Sequence, residues 1–195
     1  MPRQVDHDER RAVIAEAAWR LIAERGVDAV TLREIAATIG MANGALKHYF
    51  PDKSSIVRTA FTSVFESTNT RIRDRLGTAT GLAGLRIFCL EVMPVSPVTR
   101  LEARVVLPFW QRALADPELA AAYVAAMAYW RAQIRGFLMA ARVEGSVTSA
   151  VTDDVLTEQV LAMLNGVQAL AMLDPAATTP ESQRRMLDAF LDGLR

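Results

Sequence analysis

The sequence predicts an all-α chain of about nine helices, and three observations carry that expectation. Apolar residues recur every three or four positions through most of the 195 residues, which is the period of one helical face. Helix-start signatures punctuate the chain at Ser96-Pro97, Asp116-Pro117-Glu118, Thr152-Asp153-Asp154 and Thr179-Pro180-Glu181. No segment alternates apolar and polar residues over a strand's length, and no internal repeat is visible.

Residues 1–7 read as a frayed arm; Arg3 there either reaches DNA or is solvated. A first helix is expected over Asp8–Arg25, with Val13, Ile14, Ala17, Ala18, Leu21 and Ile22 facing inward and Gly26 ending it. Thr31 and Glu34 have the spacing of a capping box, in which each side chain satisfies the other residue's free amide. Leu32, Ile35, Ala36 and Ile39 give a short helix its apolar face, and Gly40 suits a left-handed end. Ala45, Leu46, Tyr49 and Phe50 mark a second short helix, stopped at Pro51. Two short helices about a glycine-containing turn form a helix-turn-helix over residues 31–50.

Asp52 caps a long helix with a stripe from Ile56 through Leu76. That length exceeds what a small DNA-binding unit needs, so this helix is expected to serve two cores. Residues 78–84 read as a flexible connection before a helix over Leu85–Met93. The helix after Ser96-Pro97 contains Pro108, which removes one backbone bond near Arg104 and predicts a kink. Further helices are expected from Asp116 to about Val143, from a Thr152 cap to Leu173, and from Thr179 to Leu194. The resulting division is residues 1–65 for a three-helix DNA-binding domain and 66–195 for a helical effector-binding and dimerisation domain.

Charge and composition limit the function. Formal net charge is zero, so any nucleic-acid contact must come from a local patch. Residues 31–60 supply one: Arg33, Lys47, Lys53 and Arg58 outnumber Glu34 and Asp52, and the chain's two lysines both lie there. The single cysteine, Cys89, excludes an internal disulfide. No secretion signal is visible, and the apolar run 160–173 is shorter than a bilayer span. The expectation is a cytoplasmic protein with no membrane partner. With His7 and His48 as the only histidines, and no phosphate loop, metal-ligand cluster or nucleophile elbow, the sequence predicts neither an enzyme nor a cofactor or metal site.

Thr31, Glu34-Ile35-Ala36, Ile39-Gly40, Gly44, Leu46, His48-Tyr49-Phe50 and Lys53 together resemble the TetR family of bacterial transcriptional regulators. The resemblance covers about residues 8–65. It implies a homodimeric, ligand-responsive regulator, most simply a repressor released from a near-palindromic DNA operator by a small molecule. The competing reading is a helical sensor or scaffold that does not bind DNA. The family's contact positions fall on Arg33, Asn43, Gly44, Ala45, Lys47, His48 and Tyr49. Asn43 suits an adenine edge, Lys47 a guanine O6 or N7, and Ala45 a thymine methyl. Thr31 and Lys53 stand at helix starts where a phosphate is welcome. His48 and Tyr49 serve either phosphate or packing. Ala42 occupies the position where the family places Ser or Thr, so Asn43 is expected to cap the second helix and shorten it by one residue.

The stretch from Pro108 to Pro117 resembles the effector domains of the choline-responsive BetI-like subgroup. This implies a small, cationic effector held by aromatic faces. The candidates are Phe88, Phe109, Trp110, Tyr123, Met127 and Trp130, with Glu91 and Glu102 as counter-charge. The same aromatic spacing also describes an ordinary core. Dimerisation through a four-helix bundle is expected from Val160, Met163, Leu164, Val167 and Leu170 on one helix and Leu187, Phe190 and Leu191 on the other. Small residues at Ala162, Gly166 and Ala169 would allow close approach.

Overall fold

A computed structural model describes residues 2–26 and 29–195, without the side chains of residues 2–8 and 53. Among the described residues there are nine helices and no strand. They are α1 (Pro2–Arg25), α2 (Leu32–Thr38), α3 (Asn43–Tyr49), α4 (Lys53–Leu76), α5 (Gly81–Val92), α6 (Pro97–Ala113), α7 (Pro117–Val143), α8 (Asp153–Leu173) and α9 (Pro180–Asp192). The expected arm is instead helical, since α1 starts at Pro2. Proline suits that first position because its missing N–H is not needed there.

The chain divides into two compact units. The first comprises Met1–Ser67 and Arg104–Ala122; the second comprises Thr68–Ala103 and Tyr123–Arg195. Helices α4, α6 and α7 therefore each contribute residues to both.

In the first unit α2 packs on α1 and α3. The interior is Ile14, Ala18, Ile22, Val30, Ile35, Ala36, Leu46, Phe50, Ile56, Val57 and Ala60, all buried. Removing each large member from water stabilises the unit by roughly 1.5–3 kcal/mol. The segment 104–122 joins this unit through specific contacts. Phe109 is fully buried, and its ring lies flat on Phe61 at 3.8 Å and 5°. Arg104 Nη1 donates to the Ala23 carbonyl near the end of α1, one of the carbonyls a helix end leaves unpaired. Arg58 pairs with Glu118 at 2.7 Å. Asp116 accepts from the Ser54 side chain and from the amides of Glu118 and Leu119, which hold its carboxyl below the ordinary range.

In the second unit α5 packs on α9. Leu85, Phe88, Cys89, Met93, Ile134, Leu138, Ala141, Val160, Leu164 and Leu187 form its apolar interior. Burial pushes the Cys89 thiol up to about 12, so it is an inert core residue. The expected flexible connection is mostly helix, because α5 begins at Gly81. Its glycines answer close approach. Gly81 has φ +56° beside Glu144, and a Cβ on Gly84 would sit 2.7 Å from Phe137 Cε1. Glu144 accepts a 2.7 Å hydrogen bond from Thr80 Oγ1, tying the end of α7 to the start of α5.

Of the helix starts expected after the helix-turn-helix, Asp52, Ser96, Asp116 and Thr179 form side-chain caps and Thr152 does not. Asp52 Oδ1 accepts from Ser55 N at 2.7 Å, and Thr179 Oγ1 accepts from Ser182 N at 3.1 Å. Thr152 stands at the start of α8 but its hydroxyl makes no cap. Arg142 organises that turn instead, donating to the Ser149 and Val151 carbonyls and to Asp153 Oδ1. Helix α8 spans the expected Asp153–Leu173, and at 21 residues it meets the length and apolarity of a membrane span. Its buried residues, Leu156, Val160, Leu161, Leu164 and Val167 among them, make it a core helix of this unit.

The Phe61–Phe109 stack gives a direct test of the first unit. Replacing either ring by alanine should cost about 3–5 kcal/mol. A double-mutant cycle read by urea unfolding should show a coupling of about 0.5–1.5 kcal/mol; additive losses would mean the stack contributes only burial.

Candidate functional site

The helix-turn-helix is fixed from its base outward. Thr31 N and Oγ1 both donate to Glu34 Oε2, at 2.9 and 2.8 Å, and Glu34 N donates back to Thr31 Oγ1 at 3.2 Å. Arg25 Nη2 reaches the other carboxylate oxygen at 2.7 Å. Arg25 and Thr31 together hold the Glu34 carboxyl at about 2. Thr31 thus directs its amide and hydroxyl to Glu34 at the start of α2. At the other end of α2, Gly40 takes φ +66° and Met41 N bonds the Ala36 carbonyl at 2.8 Å, a closure that left-handed geometry permits.

Helix α3 begins at Asn43, with Ala42 as its cap residue and no side-chain cap. The expected Asn43 cap does not form. Asn43 lies inside the first turn, leaving the helix one residue longer than predicted. Leu46 at 0% exposure and Phe50 at 1% anchor α3 to the core. The Arg11 guanidinium lies over the Phe50 ring at 5.7 Å, adding a cation–π contact beneath the helix. With that face pinned, Asn43, Gly44, Lys47 and His48 are exposed, and Ala45 and Tyr49 are half-buried. Arg33 is exposed on α2. The Lys53 side chain lies outside the described residues. A Cβ on Gly44 would meet nothing, so that position offers bare backbone to an incoming surface.

The expected effector residues fall in both units. Phe109 and Trp110 belong to the first unit, where Phe109 is used up against Phe61. Phe88, Glu91, Tyr123, Met127 and Trp130 belong to the second. There Phe88 and Trp130 meet edge to face at 5.6 Å, and Trp130 Nε1 donates to Asn69 Oδ1 at 3.0 Å. Met127 is buried, while half-buried Tyr123 accepts from Asn165 Nδ2 at 3.1 Å. Glu91 shares a guanidinium with Glu102: Arg71 binds both Glu102 oxygens at 2.7 Å and Glu91 Oε2 at 3.3 Å. Burial pushes the Glu102 carboxyl up, and Arg71 offsets this only in part. Arg71 and Asn69 are missing from the expected set. The signal for them was the stripe Val64, Thr68, Ile72, in which a polar residue holds a core position.

The dimer candidates also divide. Val160, Leu164, Val167, Leu187 and Leu191 are buried inside their own subunit at 0–4% exposure, so they cannot present a surface to a partner. Met163 and Phe190 are half-buried and Leu170 is exposed. The apolar surface left open on α8 is Val155, Ala162, Gly166, Leu170 and Leu173, with Met186 on α9.

The chain's profile matches agree with this architecture. The description "bacterial regulatory proteins, tetR family" matches residues 14–60, and "BetI-type transcriptional repressor, C-terminal" matches residues 82–195. The chain belongs to the TetR family and is a transcriptional regulator with a BetI-type C-terminal domain. It is 30% identical to the HTH-type transcriptional regulator PksA of Bacillus subtilis, over all of this chain and 94% of that one. It is 27% identical to the HTH-type transcriptional regulator BetI of Burkholderia lata, over 61% of this chain and 62% of that one. A crystal structure of a transcriptional regulator from Saccharomonospora viridis in complex with choline matches with a TM-score of 0.85 at 25% identity. The match covers 95% of this chain and 96% of that one.

The Glu34 lock sets an acid limit. Its folded pKa of about 2 lies below the ordinary 4.5, so its stabilisation is complete above 4.5 and is lost as pH falls towards 2. Thermal unfolding of Glu34→Gln should therefore lie below wild type at neutral pH, with the gap closing across that window. A pH-independent gap would refute the lock.

Proposed function

We propose that this chain acts as a homodimeric repressor that leaves its DNA operator when a small cationic molecule binds. The observation that carries DNA reading is the exposed row Asn43, Gly44, Lys47 and His48 on a helix whose opposite face is fixed by Leu46 and Phe50. Such a helix offers an amide, bare backbone and a cation to base edges and phosphates. Arg33, Ala45, Tyr49 and Lys53 complete the interface in this reading, while Thr31 serves by fixing α2. Two copies would enter successive major grooves roughly 34–36 Å apart.

The dimer would form through the open apolar face of α8, from Val155 to Leu173, with Met163 and with Met186 and Phe190 on α9. Residues 1–65 would read DNA, and 66–195 would bind effector and partner. The effector reading rests on the Phe88–Trp130 pair beside Glu91 and Glu102, and on choline being the ligand in the solved relative from Saccharomonospora viridis. Aromatic faces hold ammonium groups at up to ~2 kcal/mol per dry contact. A coupling of ~1–3 kcal/mol between the sites would lower operator affinity roughly 5–150-fold. As a DNA-bound regulator the protein would work in the cytoplasm and catalyse nothing.

Fluorescence anisotropy on footprinted DNA from upstream of the chain's own gene tests this. Lys47→Ala should weaken binding by roughly 1–3 kcal/mol, and Asn43→Ala should relax preference at one base pair. Unchanged affinity and salt slope in the double variant would favour a sensor that does not read DNA.

A further inference from the structure

The second unit buries a charge cluster that core stability does not call for. The Glu102 side chain is 9% exposed and Glu91 14%; Arg71, which meets both, is 24% exposed. Arg71 forms a two-pronged pair with Glu102 at 2.7 Å on each prong, and reaches Glu91 Oε2 and the Glu91 carbonyl at 3.3 Å. Thr68 Oγ1 bonds Glu102 Oε2 at 3.4 Å. Arg75 approaches Glu91 at 3.4 Å from a side chain that is 70% exposed. Two carboxylates are therefore enclosed with one well-committed guanidinium. Buried ion pairs of this kind stabilise no better than apolar packing of the same volume, so stability alone does not explain them.

The cluster and the aromatic pair share helices α4 and α5. Phe88 precedes Glu91 by three residues on α5, which places both on one helical face. Phe88 meets Trp130, and Trp130 is held by Asn69, two residues before Arg71 on α4. The acids, the rings and the arginine are all carried by α4, α5, α6 and α7 within the second unit.

We propose that Arg71 is a built-in cation that occupies the effector's place: an ammonium ligand binds by taking Glu91 and Glu102 from Arg71. This rests on the effector reading above and names how that site is regulated. The exchange conserves buried charge, because one cation leaves the carboxylates as another arrives. It also gives binding a mechanical consequence. Arg71 lies on α4, whose residues up to Ser67 belong to the DNA-binding unit, so losing this tie frees the far half of the helix that carries that unit.

Calorimetric titration of the full chain with choline chloride and with tetramethylammonium chloride tests the exchange, with operator affinity read separately by anisotropy. Arg71→Met should bind the cations at least tenfold more tightly than wild type, because no internal competitor remains. Its operator affinity should no longer respond to them. Arg71→Lys keeps the charge but loses the two-pronged fit, and should fall between the two; it serves also if the methionine variant fails to fold. Glu102→Gln should lose cation binding and, because it also breaks the two-pronged tie to Arg71, should bind operator more weakly than wild type with no further response to the cations. Equal or weaker cation affinity in Arg71→Met and Arg71→Lys would overturn the proposal, making Arg71 part of the wall. So would wild type that binds operator but neither cation, an outcome that leaves the DNA-binding reading standing.

Discussion

One helix has to satisfy two interiors with a single register. The first half of α4 does so with apolar residues: Ile56, Val57, Ala60, Phe61 and Val64 are all buried. Beyond Ser67 the buried positions turn polar, with Thr68 and Asn69 beside Ile72. This change of chemistry along one rod coincides with the change from one compact unit to the other. Apolar packing is non-directional and suits a unit that must hold a reading helix in place. Hydrogen bonds and ion pairs are directional and exchangeable, and they suit the unit in which a ligand has to compete. Asn69 and Arg71 make the second half of α4 sensitive to what surrounds Trp130, Glu91 and Glu102 in a way that leucines there would not.

The first unit reaches beyond the N-terminal third of the chain for its own stability. Segment 104–122 lends it Phe109 against Phe61, Arg104 against the end of α1, and Asp116 and Glu118 against Ser54 and Arg58. Three helices, α4, α6 and α7, contribute residues to both units, and in the proposed mechanism they would carry a C-terminal event to the reading helix. Among them α4 is distinguished by carrying the half-buried arginine that binds both Glu91 and Glu102.

Sequence made the helix-turn-helix legible because its signals are local. A capping box, a left-handed glycine and a proline stop each constrain a few neighbouring residues, and the structure realises α2 and α3 within a residue of expectation. The departures have a common cause in long-range contact. Asn43 was expected to cap α3, but the Ala42 backbone starts that helix and the side chain stays exposed. Gly81 and Gly84 look like a linker in one dimension and are close-approach positions in three, beside Glu144 and Phe137. Helix α8 is apolar on both faces, so periodicity cannot separate Val160 and Leu164, which face home, from Leu170 and Leu173, which face out. Arg71 carried no sequence signal of its own, because an arginine in a long helix is ordinarily solvated; only the polar interruption at Thr68 marks the spot.

The central claim is that cation binding in the second unit changes how the two reading helices are spaced. Pulsed electron–electron resonance on Ala37→Cys, spin-labelled on the exposed face of α2, measures this directly, since the native thiol of Cys89 is buried and unreactive. The account predicts one narrow inter-subunit distance on operator DNA and a displaced one with saturating choline. Identical distributions in both conditions, or no inter-subunit signal at all, would contradict it.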